Sequence, residues 1–213
     1  MRRPGVGRRS ARGATRRLKS VDELQQVTDK VIPLRARILG LDPGSLVTGY
    51  AVLECNGVDV SYVACGSVRA TGTDFTLRLQ QIFNGVTQLV TQHQPNEVAI
   101  EKVFMHRNAD SALKLGQARG AALCAVFSSV NNIFEYAPRQ VKQAVVGSGA
   151  AEKTQVQLMV KRLLKLDGEM GADAADAIAI ALCHAHSRRL YALLQPSAVR
   201  VPVRGNDQSG VMN

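Results

Sequence analysis

Four carboxylates in this 213-residue chain stand where their spacing could serve chemistry. Asp42 closes a short apolar run, R-I-L-G-L-D from Arg37, immediately before the turn pair Pro43-Gly44. Glu101 closes another, E-V-A-I-E from Glu97. If both runs are strands, the two carboxylates can project from one edge of a sheet. Asp173 and Asp176 lie at i and i+3 near the start of an alanine-rich stretch, so a helix there sets both on one face. Four carboxylates converging on one place repel one another unless a cation joins them. Oxygen donors without a histidine or cysteine cluster select Mg²⁺ or Mn²⁺ rather than zinc. A pair of such ions suits phosphodiester hydrolysis, one generating hydroxide and the other stabilising the leaving oxygen. Each residue also has a plainer use. Asp42 fits a turn, and Asp173 and Asp176 fit the first turn of a helix, whose dipole favours acidic side chains. Glu101 at the end of an apolar strand is harder to explain structurally.

The elements that must position these groups are readable from periodicity. Arg37 to Asp42, Thr48 to Glu54 and Val58 to Arg69 form three β-type runs, with Asn56-Gly57 as a hairpin signal, and together predict an antiparallel ribbon. Thr73-Asp74 is a helix start, and apolar residues recur at helical spacing from Leu77 to about His93, with Pro95 as the stop. Glu97 to Glu101 and Ile133 to Tyr136 read as strands. Asn108 to Ser128, Arg139 to Val146, Glu152 to Leu166 and Ala172 to Arg188 read as helices. Such an order packs as an α/β mixed sheet with helices on its faces.

Composition bounds the rest. The formal charge is +10, but the first 20 residues hold eight basic side chains and no acidic one, leaving 19 basic against 17 acidic beyond them. Charge alone therefore does not assign a nucleic-acid partner to the globular part. The expected organisation is a basic, disordered N-terminal extension over 1–35, one domain over 36–190 and a polar tail over 191–213. The extension fits a DNA-binding arm, an Arg-rich transit peptide or sequence read from an early start codon. Cys55, Cys65, Cys124 and Cys183 show no C-x-x-C spacing and read as free thiols of a reducing compartment. With no apolar run long enough to span a bilayer and no apolar leader, the expected location is the cytoplasm.

Beyond spacing, five stretches resemble one family in order. They are I-L-G-L-D-P-G-S-L-V-T-G-Y-A-V (Ile38 to Val52), A-I-E-K-V-F (Ala99 to Phe104), N-A-D-S-A-L-K-L-G-Q-A-R-G (Asn108 to Gly120), Y-A-P-R-Q-V-K-Q-A-V-V-G (Tyr136 to Gly147) and A-D-A-A-D-A-I-A-I-A (Ala172 to Ala181). They are similar to successive motifs of the RuvC crossover-junction endonucleases, from about Arg37 to His186. The resemblance implies a ribonuclease H-like fold, with Asp42, Glu101, Asp173 and Asp176 as catalytic carboxylates holding Mg²⁺, two ions per site, for which Mn²⁺ can substitute. It implies a homodimer that resolves four-way DNA (Holliday) junctions in recombination and repair by symmetric paired nicks, leaving 5′-phosphate and 3′-hydroxyl ends, and that works with the RuvA and RuvB junction-migration proteins.

The same resemblance gives DNA-binding roles to Phe104, three residues beyond Glu101, and to Lys142 and Lys153, which flank the loop Gly147 to Ala151. An aromatic at a strand end can stack on a displaced base. A glycine-containing turn before a helix can hold phosphate on its backbone N–H groups. Arg107 is a further backbone contact, and His106 and Arg139 are weaker candidates. Small and apolar residues Leu113, Gly116, Gly120, Ala121 and Cys124 suit a helix approached by another, the dimer contact in RuvC-like enzymes. His184 and His186 read as packing or surface residues, with a catalytic role for either left open, and Lys102 stands where a polar uncharged residue is common in the family. Other readings are a ribonuclease H-like nuclease for hybrids or other branched DNA, which the four carboxylates alone fit equally well; an actin-like phosphotransferase, since a D-x-G turn after a first strand can cradle ATP phosphate, though a second such turn is lacking; and a non-catalytic junction binder, against which the four carboxylates argue.

Overall fold

Residues 35–102, 108–130 and 132–194 are described by the structure, a computed structural model; the basic extension, the tail beyond Leu194 and the segment with Phe104, His106 and Arg107 lie outside them. Strands β1 (Arg35–Asp42), β2 (Val47–Asn56) and β3 (Asp59–Arg69) form the antiparallel ribbon predicted from their patterning. Pairing continues to Asn56 opposite Asp59, so the hairpin loop is Gly57-Val58, one residue later than the Asn56-Gly57 signal suggested. The reason is backbone chirality: Gly57 takes φ +63 at the first central position, which the strand twist favours and glycine alone tolerates freely.

Helix α1 (Phe75–His93) follows, capped by the Asp74 carboxylate, which accepts from the backbone N–H groups of Thr76 at 2.8 Å and Leu77 at 3.2 Å. Strand β4 (Glu97–Glu101) then runs parallel beside β1, α2 (Ala109–Phe127) is capped by Asn108, and β5 (Ile133–Tyr136) pairs parallel with β4. The chain closes with α3 (Pro138–Val146), α4 (Lys153–Leu164) and α5 (Ala172–Leu194). Pro138 begins α3 one residue earlier than predicted, because a first-turn N–H is not needed there. Helix α5 continues past the predicted Arg188 through Leu190 to Leu194, residues with no helix-breaking chemistry among them.

The sheet order is β3-β2-β1-β4-β5, and the helices cover both faces, as the α/β expectation requires. Alternation along β1 sends Ala36 and Ile38 to the core beneath α5, and Leu39 and Leu41 to the core beneath α1 and α2. Along β4, Ala99 joins the first core while Val98 and Ile100 join the second. Asp42 shares the parity of Ile38, and Glu101 that of Ala99, so both carboxylates belong to the α5 face. The register sets Leu41 opposite Ile100, leaving Asp42 and Glu101 one residue further at the carboxyl ends of adjacent parallel strands. Open α/β sheets offer their ligand crevices at such ends.

Helix α5 is buried nearly all round, from Ala174 to Leu182, because it lies between the sheet and the α3–α4 pair. Its alanines and two glycines on the sheet allow the approach. A Cβ on Gly40 would stand 2.4 Å from the Ala177 carbonyl oxygen, and one on Gly49 only 2.0 Å from the Asp173 carbonyl oxygen. Gly49→Ala is therefore expected to lift the start of α5 off the sheet, costing about 1–3 kcal/mol of stability and displacing Asp173 and Asp176. Thermal melting and nuclease assays check this, and a variant with wild-type melting would contradict the close packing.

Candidate active site

Asp42 from β1, Glu101 from β4 and Asp176 from α5 meet in one cleft of about 230 Å³, whose other walls include Pro138, Val141 and Lys142 of α3 and Lys153 and Val156 of α4. Three of the four predicted carboxylates are thus brought together. The fourth, Asp173, is half-buried one turn earlier on α5 and lines a neighbouring cleft of about 400 Å³ with Ser67, Arg69 and Lys161. It still acts on the site through space, adding to the charge felt by Asp42 and Lys153.

The crowding is visible in protonation. Burial, reinforced by Asp176 and Asp173 and opposed by Lys153, pushes Asp42 up to about 6. Burial, reinforced by Asp42 and Asp176 and opposed by Lys142 and Lys153, pushes Glu101 up to about 7. Lys153 stands at the first position of α4 with its Nζ 2.6 Å from Asp176 Oδ2, and that hydrogen bond raises its own pKa. The ammonium thus balances part of the acidic cluster.

Among the described residues no group of three or more carboxylate, histidine or cysteine donors is arranged to hold a metal ion as it stands. The donor chemistry nonetheless fits a hard divalent cation. Asp42, Glu101 and Asp176 offer only oxygens in a shared cleft, and their mutual repulsion is what a cation would relieve. Lys153 engages Asp176 through Oδ2, so Oδ1 is the oxygen it leaves to offer a cation.

The loop from Gly147 to Ala151 does not serve as the phosphate cradle expected. Gly147 N donates to Gln143 O at 3.0 Å, Gly149 N to Gln143 Oε1 at 3.0 Å and Ala151 N to Ser148 O at 3.2 Å, while Glu152 N donates to Gln155 Oε1 at 2.9 Å. With Ala150 N donating to Ser148 Oγ at 3.4 Å, four of the five N–H groups of the loop are engaged within the chain, and the basic character of the region reaches the cleft through Lys142 and Lys153. Phe104 and Arg107 lie outside the described residues. His186 is exposed, with Nδ1 3.1 Å from Ala144 O.

His184 belongs to a buried network that spacing did not reveal. Its Nε2 lies 2.8 Å from Glu97 Oε2 and its Nδ1 2.7 Å from the Tyr136 hydroxyl, and its ring stacks on Phe134 at 4.2 Å. Arg188 Nε lies 2.5 Å from the same Glu97 oxygen. Burial drives the Glu97 carboxyl upward, but hydrogen bonds from His184 and Arg188 outweigh it and leave the group below its ordinary value. The one sequence signal was the parity shared by Glu97 and Glu101. Arg119, whose Nε donates to the Glu101 carbonyl oxygen at 3.2 Å, gave none.

The chain is similar to known proteins of one family. The family model described as Crossover junction endodeoxyribonuclease RuvC matches residues 38–184. A crossover junction endodeoxyribonuclease RuvC of Shewanella woodyi is 55% identical over 152 residues, covering 71% of this chain and 88% of the relative. The Pseudoalteromonas translucida protein of the same name is 54% identical over 170 residues, covering 80% and 97%. Among solved structures, T. thermophilus RuvC in complex with Holliday junction substrate matches with a TM-score of 0.68 at 33% identity, covering 73% of this chain and 96% of that one.

Proposed function

The chain belongs to the RuvC family of crossover junction endodeoxyribonucleases, and from that premise we propose that it is the nuclease that resolves four-way DNA junctions in recombination and repair. The observation that carries the reading is the convergence of Asp42, Glu101 and Asp176, flanked by Lys142 and Lys153, at the carboxyl ends of two parallel strands. Asp42 is the central carboxylate, Glu101 and Asp176 complete the set, and Asp173 joins from the start of α5. These carboxylates would hold Mg²⁺, two ions per site with Mn²⁺ as a substitute, which would supply Lewis-acid charge for phosphodiester hydrolysis. Lys142 and Lys153 draw the scissile phosphate into an otherwise acidic cleft, and Lys153 passes from Asp176 to that phosphate as the substrate seats. Phe104 and Arg107 engage the junction from the segment following β4.

Paired nicks of like polarity, leaving ligatable 5′-phosphate and 3′-hydroxyl ends, need two copies of the site related by a two-fold axis, hence a homodimer. The outer side of α2 suits that contact. Leu113 and Phe127 are 62% and 59% exposed, Cys124 is exposed, and a Cβ on Gly116 or Gly120 would meet nothing within 4 Å. Ala121, included in the expected stripe, packs inward instead. Leu113→Glu is expected to shift sedimentation from dimer to monomer, and an unchanged dimer would remove α2 from the interface. In sequence, the basic extension precedes β1, which already includes Arg35, and the polar tail follows α5, which runs to Leu194 rather than ending at 190. Among the described residues no helix is long and apolar enough to cross a membrane, and we place the enzyme in the cytoplasm with RuvA and RuvB as partners.

The test is cleavage of a labelled mobile four-way junction beside a linear duplex and an RNA–DNA hybrid, with Mg²⁺ or EDTA. Metal-dependent cuts confined to the junction support the proposal. Preferential cutting of duplex or hybrid would move the chain to another nuclease activity.

A further inference from the structure

Glu101 projects its carboxylate from the α5 face of the sheet, yet its own peptide is held from the opposite face. Arg119 of α2 donates from Nε to the Glu101 carbonyl oxygen at 3.2 Å. The same guanidinium donates through Nη2 to the carboxylate of Glu135. Glu135 sits on β5 opposite Ile100, and Lys102, next after Glu101, donates its N–H to the Tyr136 carbonyl at 2.9 Å. One planar fork therefore ties together the end of β4, the end of β5 and α2. The Arg119 side chain is only 18% exposed, whereas Glu135 is 44% exposed and oriented by the pair. Arg119 reaches the peptide of Glu101; the cations that act on the Glu101 carboxylate itself are Lys142 and Lys153.

We propose that Arg119 is a positioning residue that fixes the Glu101–Lys102 peptide, and through it the direction of the Glu101 carboxylate, by bridging that peptide to Glu135. The proposal rests on Glu101 being a catalytic carboxylate. The chain leaves β4 at this peptide, which is the last described backbone before the segment carrying Phe104. The bridge also connects the catalytic strand end to α2, the helix whose outer side is offered above to a second copy. A guanidinium can satisfy a carbonyl and a carboxylate together, whereas an ammonium has no such fixed fork.

Three variants test this: Arg119→Ala, Arg119→Lys and Glu135→Ala. Arg119→Ala is expected to lower kcat for junction cleavage by about 10- to 100-fold, the range typical of residues that orient a metal-site ligand, with KM and junction binding in EDTA unchanged. Arg119→Lys recovers part of the loss, and Glu135→Ala lowers kcat in the same direction by a smaller factor. Hydrogen exchange supplies a readout independent of turnover: the Lys102 amide exchanges faster in Arg119→Ala than in wild type, with the α5 core unchanged. If Arg119→Ala does not fold, the other two variants carry the comparison. Wild-type kcat in all folded variants overturns the proposal, and so does a loss confined to KM, which would make Arg119 a DNA contact. Glu101→Gln separates this outcome from failure of the active-site reading. If it cleaves normally, Glu101 is not catalytic; if it is inactive while Arg119→Ala is normal, only the positioning role fails.

Discussion

Asp42→Asn is expected to abolish junction cleavage, by about a thousandfold or more, while leaving junction binding in EDTA intact. The substitution keeps shape and removes the charge at the centre of the cleft, and charge stabilisation by a site of this kind is worth several kcal/mol of barrier. Binding is expected to be equal or tighter, since one negative charge no longer faces the phosphate. The same variant should be more stable than wild type without metal at neutral pH. Asp42 is raised from 3.8 to about 6 by burial and then by its acidic neighbours. A carboxyl whose folded pKa exceeds its unfolded one favours the fold below the unfolded value, and that contribution disappears as pH rises through the folded value. For Asp42 the interval runs from about 4 to about 6, and the shift corresponds to roughly 3 kcal/mol. Glu101 carries the same sign up to about 7. Metal-free wild type should therefore lose stability across this interval, Asp42→Asn should lose less, and Mg²⁺ or Mn²⁺ should restore wild type at neutral pH. Melting curves against pH, with and without metal, read all three effects. A flat wild-type profile would show that the carboxylates do not repel one another in the fold.

Glu97→Ala is expected to produce the largest loss of stability in the domain, about 3–5 kcal/mol. The Glu97 carboxylate faces His184 and Arg188 at a position 4% exposed, while those partners are 1% and 5% exposed. Removing the acid takes from the buried Arg188 guanidinium and His184 ring the carboxylate that both contact, and the melting temperature should fall by roughly 6 to 20 °C. Here the pH dependence has the opposite sign. Glu97 titrates below its ordinary 4.5, so its contribution is present above that value and is lost as pH falls through the depressed one. Wild type should thus destabilise in acid in a way that Glu97→Gln does not. Cleavage should fall with stability in Glu97→Ala, because His184 shares α5 with Asp176 and bonds to Tyr136, the residue opposite Glu101.

Local chemistry made much of this molecule legible. Asp74 and Asn108 cap helices where the sequence placed their starts, and the apolar runs ending in Asp42 and Glu101 became adjacent parallel strands. What local pattern could not show was long-range pairing. Glu97 and His184 meet across 87 residues, and Arg119 reaches the Glu101 peptide from the far side of the sheet. Strand parity hinted at Glu97 but not at its partner, and the motif stretch that contains Arg119 did not show what that side chain touches. The loop from Gly147 to Ala151 had the composition of a phosphate site, but Gln143 engages the Gly147 and Gly149 N–H groups, a use that glycine content does not distinguish from ligand binding. Helical spacing put Asp173 and Asp176 on one face, yet the one turn between them places Asp173 along the neighbouring cleft.

The most direct test of the central claim is the anomalous scattering of Mn²⁺ in crystals of the protein. The account predicts manganese bound by Asp42 together with Glu101 and Asp176, with the Lys153 ammonium withdrawn from Asp176. A cleft without manganese at saturating concentration, with Lys153 still paired to Asp176, would contradict it.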